Sequence, residues 1–425
     1  MAVTHSHRNW LAYQREVTPA TVAGAWSTEG LTLLHREIDT AGIVSGYTDD
    51  PILETYGQAV MTRDVLEQAR NVEFKFATNL YGLGVTTALD DQAVTNPILD
   101  LIEDAMGGAS YSNTTEITGG TAALPIVDDV TNYAAGQLAQ FIDTTSPIKA
   151  NECHWRCITA VDNGAKTLAL SEKLPFTPAA GDDVPAAATF YLDELVLEDA
   201  VANSKTNSWF VQMHDTNASH VWETRGCVHS MNISGLERNQ PPKLDFAVLG
   251  ANYKYSDADG LACVTFAETP FGYPPLTLHA TKCSISEVTD DEHNYVDITS
   301  FALEMGVTRE PVQTITEPQT MPGFDGLSSY TVKFAPSELT IVIPRLDKVW
   351  YAGLSASKHY RVTLFQGSKG AGKSWCIHLR DCQLVATPTR ATAGEANAVQ
   401  LKFRAVPNSA GANAMQVSRV LVGIG

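Results

Sequence analysis

Alternation of apolar and polar residues dominates the chain. In NVEFKFATN (Asn71–Asn79), Val72, Phe74 and Phe76 fall on one face and Glu73 and Lys75 on the other, the period of a half-buried strand. SELTIVIPRL (Ser337–Leu346) places Leu339, Ile341 and Ile343 in the same way. WFVQMHD, YRVTLFQ, AVQLKFRAV and VSRVLVGIG are further short β-rich runs. Helical periodicity is scarce. TNPILDLIEDAMGG is the best instance, with Asn96 as cap, Pro97 in the first position and Gly107 at the end. LDKVWYAGLS (Leu346–Ser355) is a shorter one. The pattern predicts a mainly β protein with a few small helices.

The strands recur in a shared order. WFVQMHD (Trp209–Asp215), TNASH and VWETRGCVHSMNIS (Val221–Ser234) match YRVTLFQ (Tyr360–Gln366), GSKGAGK and SWCIHLRDCQLVATPT (Ser374–Thr389). Arg225-x-Cys227 answers Arg380-x-Cys382, and Leu244-x-Phe246 answers Leu401-x-Phe403. Upstream, each set has a strand followed by a helix. The order predicts a duplicated β unit. Residues 1–119 with 193–260 form the first copy and 261–425 the second.

Residues 120–192 read as a small all-β insertion into the first copy. Asn163-Gly164 offers a tight turn between CITAV and TLALS. Two longer stretches of low periodicity, Met305–Ser329 and Ser45–Gln58, occupy comparable places in the two halves and read as loops that reach out to a neighbour.

QGSKGAGKSW carries Gly367, Gly372, Lys373 and Ser374 in the frame G-x-x-x-x-G-K-[ST]. A working phosphate loop runs from a strand into a helix, whose free N–H groups meet the phosphates. Here Trp375, Ile377 and Leu379 alternate with Cys376, His378 and Arg380, which predicts a strand. The loop therefore reads as the tip of a hairpin, a mimic of the nucleotide motif. A nucleotide hydrolase acting through Gly367–Ser374 is the remote alternative.

Composition narrows the classes further. With 425 residues and 44% hydrophobic residues, the chain can bury a large core. No apolar run approaches a membrane span, and the opening MAVTHSHRNWLAYQREVTPA lacks the apolar centre of a signal peptide. These features predict a soluble protein made in the cytoplasm. The formal charge is −19, which disfavours wrapping nucleic acid, because phosphate contacts need Lys and Arg. Seven scattered cysteines predict buried, reduced thiols. CHWRC (Cys153–Cys157) matches no common zinc spacing. His214, His220 and His229 lie on one proposed hairpin, where structural roles are expected. Neither a catalytic constellation nor a cofactor or metal site is expected.

The closing pattern WCIHLRDCQLVATPTRATAGEANAVQLKFRAVPN and its counterpart HSMNISGLERNQPPKLDFAVLGANYKYSD (His229–Asp257) resemble phage major tail tube proteins. CITAVDNGAKTLALSEKLPFTPAAGDDV resembles small β inserts of phage structural proteins. The resemblance implies two tandem tail-tube-like β-barrel or sandwich domains, each with a flanking helix, around the insertion. It implies a virion tail protein assembled in the host cytoplasm, whose stacked rings form a hollow tube. Its partners would be itself, a tape-measure protein, tail terminator and baseplate proteins, and phage DNA passing through an acidic lumen without specific binding. Glu73 and Glu338 are the first candidates for lumen-facing acids. Single-domain relatives close rings with six domains, so two domains per chain imply trimeric, pseudo-hexameric rings, with a hexamer of chains as the alternative. Another β-rich virion component (a baseplate hub, decoration or receptor-binding protein) is the competing reading.

Overall fold

The computed structural model describes residues 9–16, 31–34, 38–39, 50–56, 59–66, 72–83, 97–144, 152–198, 206–214, 219–235, 240–250, 252–255, 276, 278, 281–290, 294–313, 327–344, 353, 356–366, 373–390, 398–408 and 411–425. The protein is mainly β, built from antiparallel sheets and one closed six-stranded barrel.

The first half contributes β1 (Asn9–Arg15), β2 (Leu31–Leu34), β3 (Ile38–Asp39), β4 (Asp50–Tyr56), β5 (Ala59–Leu66) and β6 (Val72–Asn79). After the barrel region, β7 (Gly107–Ser112) to β14 (Ala187–Leu192), it resumes with β15 (Asn207–His214), β16 (Ser219–Gly235), β17 (Lys243–Gly250) and β18 (Asn252–Tyr255). The second half contributes β19 (Thr281–Glu287), β20 (Tyr295–Val296), β21 (Ser300–Glu304), β22 (Val307–Gln313), β23 (Leu327–Phe334), β24 (Glu338–Ile343), β25 (His359–Gln366), β26 (Trp375–Leu384), β27 (Thr389–Arg390), β28 (Val399–Ala405) and β29 (Leu421–Ile424).

The two halves share their pairings. In the first, β1 pairs with β2 and β15, β15 with β16, β16 with β17 and β18, β17 with β6, β6 with β3, and β4 with β5. In the second, β19 pairs with β20 and β25, β25 with β26, β26 with β28 and β29, β28 with β24, β24 with β21, and β22 with β23. Each long strand is bulged at the same motif. Arg225-Gly226 lies between the pairs Trp209↔Thr224 and Asn207↔Cys227, and Arg380-Asp381 between Val362↔Leu379 and Tyr360↔Cys382. A bulge bends the strand and strengthens its twist. Before the bulge β16 pairs with β15 and β18, and beyond it with β17 and β21.

The bulge also corrects the register of the repeat. Ala405 lies opposite Cys382, while Leu249 lies opposite Val228, one residue past Cys227. Counted from there, Phe246 corresponds to Leu401, two residues from the Leu-x-Phe match. A slip of two keeps every side chain on its face, so alternation alone does not detect it. Phe246 faces Phe76 and Leu401 faces Ile341, which makes Glu73 and Glu338 equivalent positions.

Helix Pro97–Met106 forms as expected and ends at Gly107, whose φ of 93° suits a residue without Cβ. Its Asp104 is buried and bonded to Tyr13 and Arg15 of β1, and its Leu101 carbonyl lies 2.8 Å from His229 Nε2. Burial holds the His229 imidazole neutral, with its pKa lowered to about 4. The expected helix Leu346–Ser355 lies almost wholly outside the described residues.

The loops expected at Met305–Ser329 and Ser45–Gln58 are in part strands: β22 with the start of β23, and β4. Strands β22 and β4 each contain a proline, Pro311 opposite Tyr330 and Pro51 opposite Val65. Both hairpins are two-stranded sheets, so a missing ladder N–H is tolerated on the outer edge. The connecting residues 314–326 lie outside the described residues.

The barrel spans Thr115–Val184, a few residues earlier at both ends than the 120–192 expected, and its stems β7 and β14 pair with each other. Ile117, Val127, Phe141, Ile158 and Leu168 form its own core. The turn between Asp162 and Thr167 is longer than the Asn163-Gly164 turn expected. Asp162 Oδ1 accepts from the N–H groups of Gly164 and Ala165, and the positive φ falls at Lys166. The side-chain cap therefore replaces the two-residue turn.

Candidate functional site

The halves are joined by strand pairing. Asn232, Ile233, Ser234 and Gly235 of β16 lie opposite Glu304, Leu303, Ala302 and Phe301 of β21. Through this junction a single antiparallel array runs β28, β24, β21, β16, β17, β6, β3. Alternation gives the array two chemically distinct faces. On one face Phe76, Phe246, Ile233, Leu303, Leu339, Ile341 and Phe403 are buried in the main core.

The other face is polar and open. Directly opposed residues form one row across six strands: Ala77, Asp245, Asn232, Glu304, Glu338 and Arg404. Glu73, Lys75, Lys243 and Lys402 share this face by register. Both acids singled out from the sequence therefore lie on it, Glu73 exposed and Glu338 half-buried.

Among the described side chains of this face, Glu73, Asp245, Glu304 and Glu338 balance Lys75, Lys243, Lys402 and Arg404. These eight described charges balance, Asp39 of β3 adds an acid to the same face by its register opposite Lys75, and the face carries more cations than the acidic lining implied by the resemblance. Glu338 faces the like charge of Glu304, a destabilising placement by itself. Lys402 Nζ lies 2.5 Å from Glu338 Oε2 and Arg404 Nη2 lies 2.9 Å from Oε1. The hydrogen bond from Lys402 is the main reason that the Glu338 carboxyl is held below its ordinary pKa. The sequence located Glu73 and Glu338 by alternation. It also set Lys75 beside Glu73, and it missed the other five charges because the strand order that adjoins them was not visible.

The phosphate-loop motif lies elsewhere. Gly367 and Gly372 fall outside the described residues. Lys373 is exposed and Ser374 is buried. Strands β25 and β26 pair on either side, with Phe365 opposite Cys376, so the motif lies in a hairpin connection and leads into a strand. The Ser374 hydroxyl accepts from Trp155 Nε1 at 2.5 Å and donates to Gln140 Oε1 at 3.2 Å, both in the barrel region. It is committed to packing and is not presented to a nucleotide. Addition of millimolar MgATP is expected to leave the melting temperature unchanged in the parent and in Lys373→Ala, as measured by thermal denaturation.

No protein-family model matches the chain, and no curated protein does. The site is therefore read from its own chemistry. No group of three or more His, Cys, Asp or Glu is placed to hold a metal among the described residues. Cys153, Cys157, Cys227, Cys283, Cys376 and Cys382 are buried free thiols. Burial pushes the pKa of Cys153 and Cys283 up to about 12. The His229 ring is held between Leu101 and Asn207, a structural role. The side chains of His214 and His220 lie outside the described residues. No described helix is long and apolar enough to cross a membrane.

Proposed function

We propose that the chain is a structural tail tube protein of a long-tailed phage, without enzymatic activity, which polymerises as stacked rings around a channel for DNA. The carrying observation is the array that crosses from one half to the other, one face in the core and one face polar, with no excess of cations over acids among the described residues. A heterologous contact of this kind, repeated with rotation, closes into a ring. The matching pairings of the halves favour a duplicated tube domain, so three chains supply six positions and the ring is a trimer with pseudo-sixfold symmetry. The barrel occurs once per chain and decorates the outside at three positions.

A lining without an excess of cations suits passage of DNA, because binding driven by counterion release needs such an excess. Glu338→Gln leaves Lys402 and Arg404 without their carboxylate partner. Tubes of this variant are expected to retain duplex DNA at low salt and release it as salt rises, whereas parent tubes retain none; co-sedimentation across a salt series measures this.

Hairpin β22–β23 is held on the first half of its own chain by Tyr330 and Arg309, so the contact with neighbouring rings expected from Met305–Ser329 would have to come from the part of that stretch outside the hairpin strands. The tape-measure, terminator and baseplate proteins would be partners at the lumen and the tube ends, in the virion tail assembled in the host cytoplasm. Electron microscopy of the concentrated protein tests the reading. Hollow tubes with three outer knobs per ring support it, and compact monomers at all concentrations refute it.

A further inference from the structure

The junction inside the chain has an unfilled counterpart at each end of the array. Strand β21 reaches the first half through its free edge, since its other edge is held by β24. Its equivalent in the first half is β3, which is held by β6 through Ile38↔Phe76 and Asp39↔Lys75. No other strand pairs with β3 among the described residues. The acceptor within the chain is the end of β16 beyond the bulge. Its equivalent is the end of β26 with β27, which β28 covers on one side through Leu384↔Phe403 and Thr389↔Gln400.

We propose that β3 of one copy pairs with the Thr389–Arg390 strand of the next copy, reproducing between chains the junction that β21 and β16 form within one. The partner is a second copy of this chain, and the inference rests on the ring reading given above. Three features of the internal junction carry over. The contact is antiparallel and extends an existing sheet, so it satisfies backbone N–H and C=O groups that a bare edge leaves open. It joins the same two positions of the repeated strand order. It is also reinforced by a hairpin: Tyr330 of β23 donates to the Gly226 carbonyl at the first-half bulge, and Arg309 Nη2 of β22 lies 3.5 Å from the Asp104 carbonyl. Hairpin β4–β5 sits between β3 and β6 as β22–β23 sits between β21 and β24. In the same arrangement it would lie over Arg380-Asp381, the second-half bulge of the next copy.

A short strand such as β3 limits uncontrolled edge pairing in the lone chain. The proposed contact is therefore selective for a copy that presents both the strand end and the bulge. Every copy offers one donor edge and one acceptor edge, and a closed ring leaves neither exposed.

Cysteine pairing tests the inference on the full chain. Ile38→Cys, Asp39→Cys, Thr40→Cys and Ala41→Cys are each combined with Thr389→Cys and with Arg390→Cys, and the assembled protein is oxidised. Opposed strand residues have Cα atoms about 4.5–5.5 Å apart, within the reach of a disulfide at about 4.4–6.8 Å. At least one combination is expected to give covalent dimers and trimers on a non-reducing gel, ending at the trimer. Ser234→Cys with Ala302→Cys, the internal counterpart, is expected to crosslink only within a chain. Tubes that form while no combination crosslinks between chains overturn the junction and leave the tube reading standing. Crosslinked closed trimers that never stack support the junction and overturn the tube reading. Absence of crosslinks in every state overturns the junction.

Discussion

Trp155→Ala is expected to detach the barrel from the second half and to lower stability by about 3–5 kcal/mol, the usual range for losing a buried tryptophan. Trp155 is fully buried in a cluster with Leu138, Cys157, Phe365, Cys376, Met415 and Leu421, which joins barrel-region residues to the second half. Its ring packs so closely on β29 that a Cβ at Gly423 would lie 2.6 Å from Trp155 Cζ3. The indole N–H donates to Ser374 Oγ, so truncation also strips a buried hydroxyl of a partner. Trp155→Phe keeps much of the packing and loses the hydrogen bond, which is worth about 1 kcal/mol. Denaturant titration of the two variants separates the terms. Equal losses would show that the hydrogen bond, and not the ring, carries the contact. The barrel has its own core, so the alanine variant is expected to unfold in two steps.

Gly235→Val is expected to break the junction between the halves. A Cβ at Gly235 would fall 2.3 Å from Cε1 and 2.8 Å from Cζ of Phe301. The Phe301 ring is buried and lies 5.6 Å from the Trp375 ring centroid, so it has little room to yield. Overpacking of this kind costs about 1–3 kcal/mol; Gly235→Ala is expected within that range and valine above it. Phe301→Leu in the Gly235→Ala background is expected to recover part of the loss, because the smaller side chain vacates the space that the new methyl needs. A strictly additive double variant, measured by chemical denaturation, would show that the two residues do not share that space. Ring formation is expected to fail in Gly235→Val even where each half stays folded.

Alternation made the strands legible. Val72–Asn79, Glu338–Ile343 and Val399–Ala405 lie where the apolar residues predicted, because each buries a single face. The helix at Pro97–Met106 was legible for a different reason: proline and glycine punctuate its ends. Alternation could not fix the register of the repeat, since a shift of two residues leaves the pattern unchanged. It also could not show that β21 crosses to β16, because the pairing of strands distant in sequence leaves no local mark. The hairpin arms at Pro51 and Pro311 were hidden, as proline reads as a strand breaker except on an outer edge. Ser374 was the most misleading residue. Its neighbours match a nucleotide motif in letters, and only its contact with Trp155, far away in sequence, reveals what its hydroxyl does.

The pairing of β14 with β29 has a consequence for the order of folding. Ala188 meets Ile424 and Tyr191 meets Leu421, so a stem of the barrel must wait while more than half of the chain is synthesised. The barrel closes from residues near one another in sequence, and local contacts of that kind form quickly. It can therefore be complete on the ribosome while the apolar flank around Leu138, Trp155 and Cys157 still lacks its cover from the second half. During that interval the nascent chain displays a sticky surface, the kind of transient exposure that holding chaperones recognise. Synthesis of Leu421–Ile424 ends the interval.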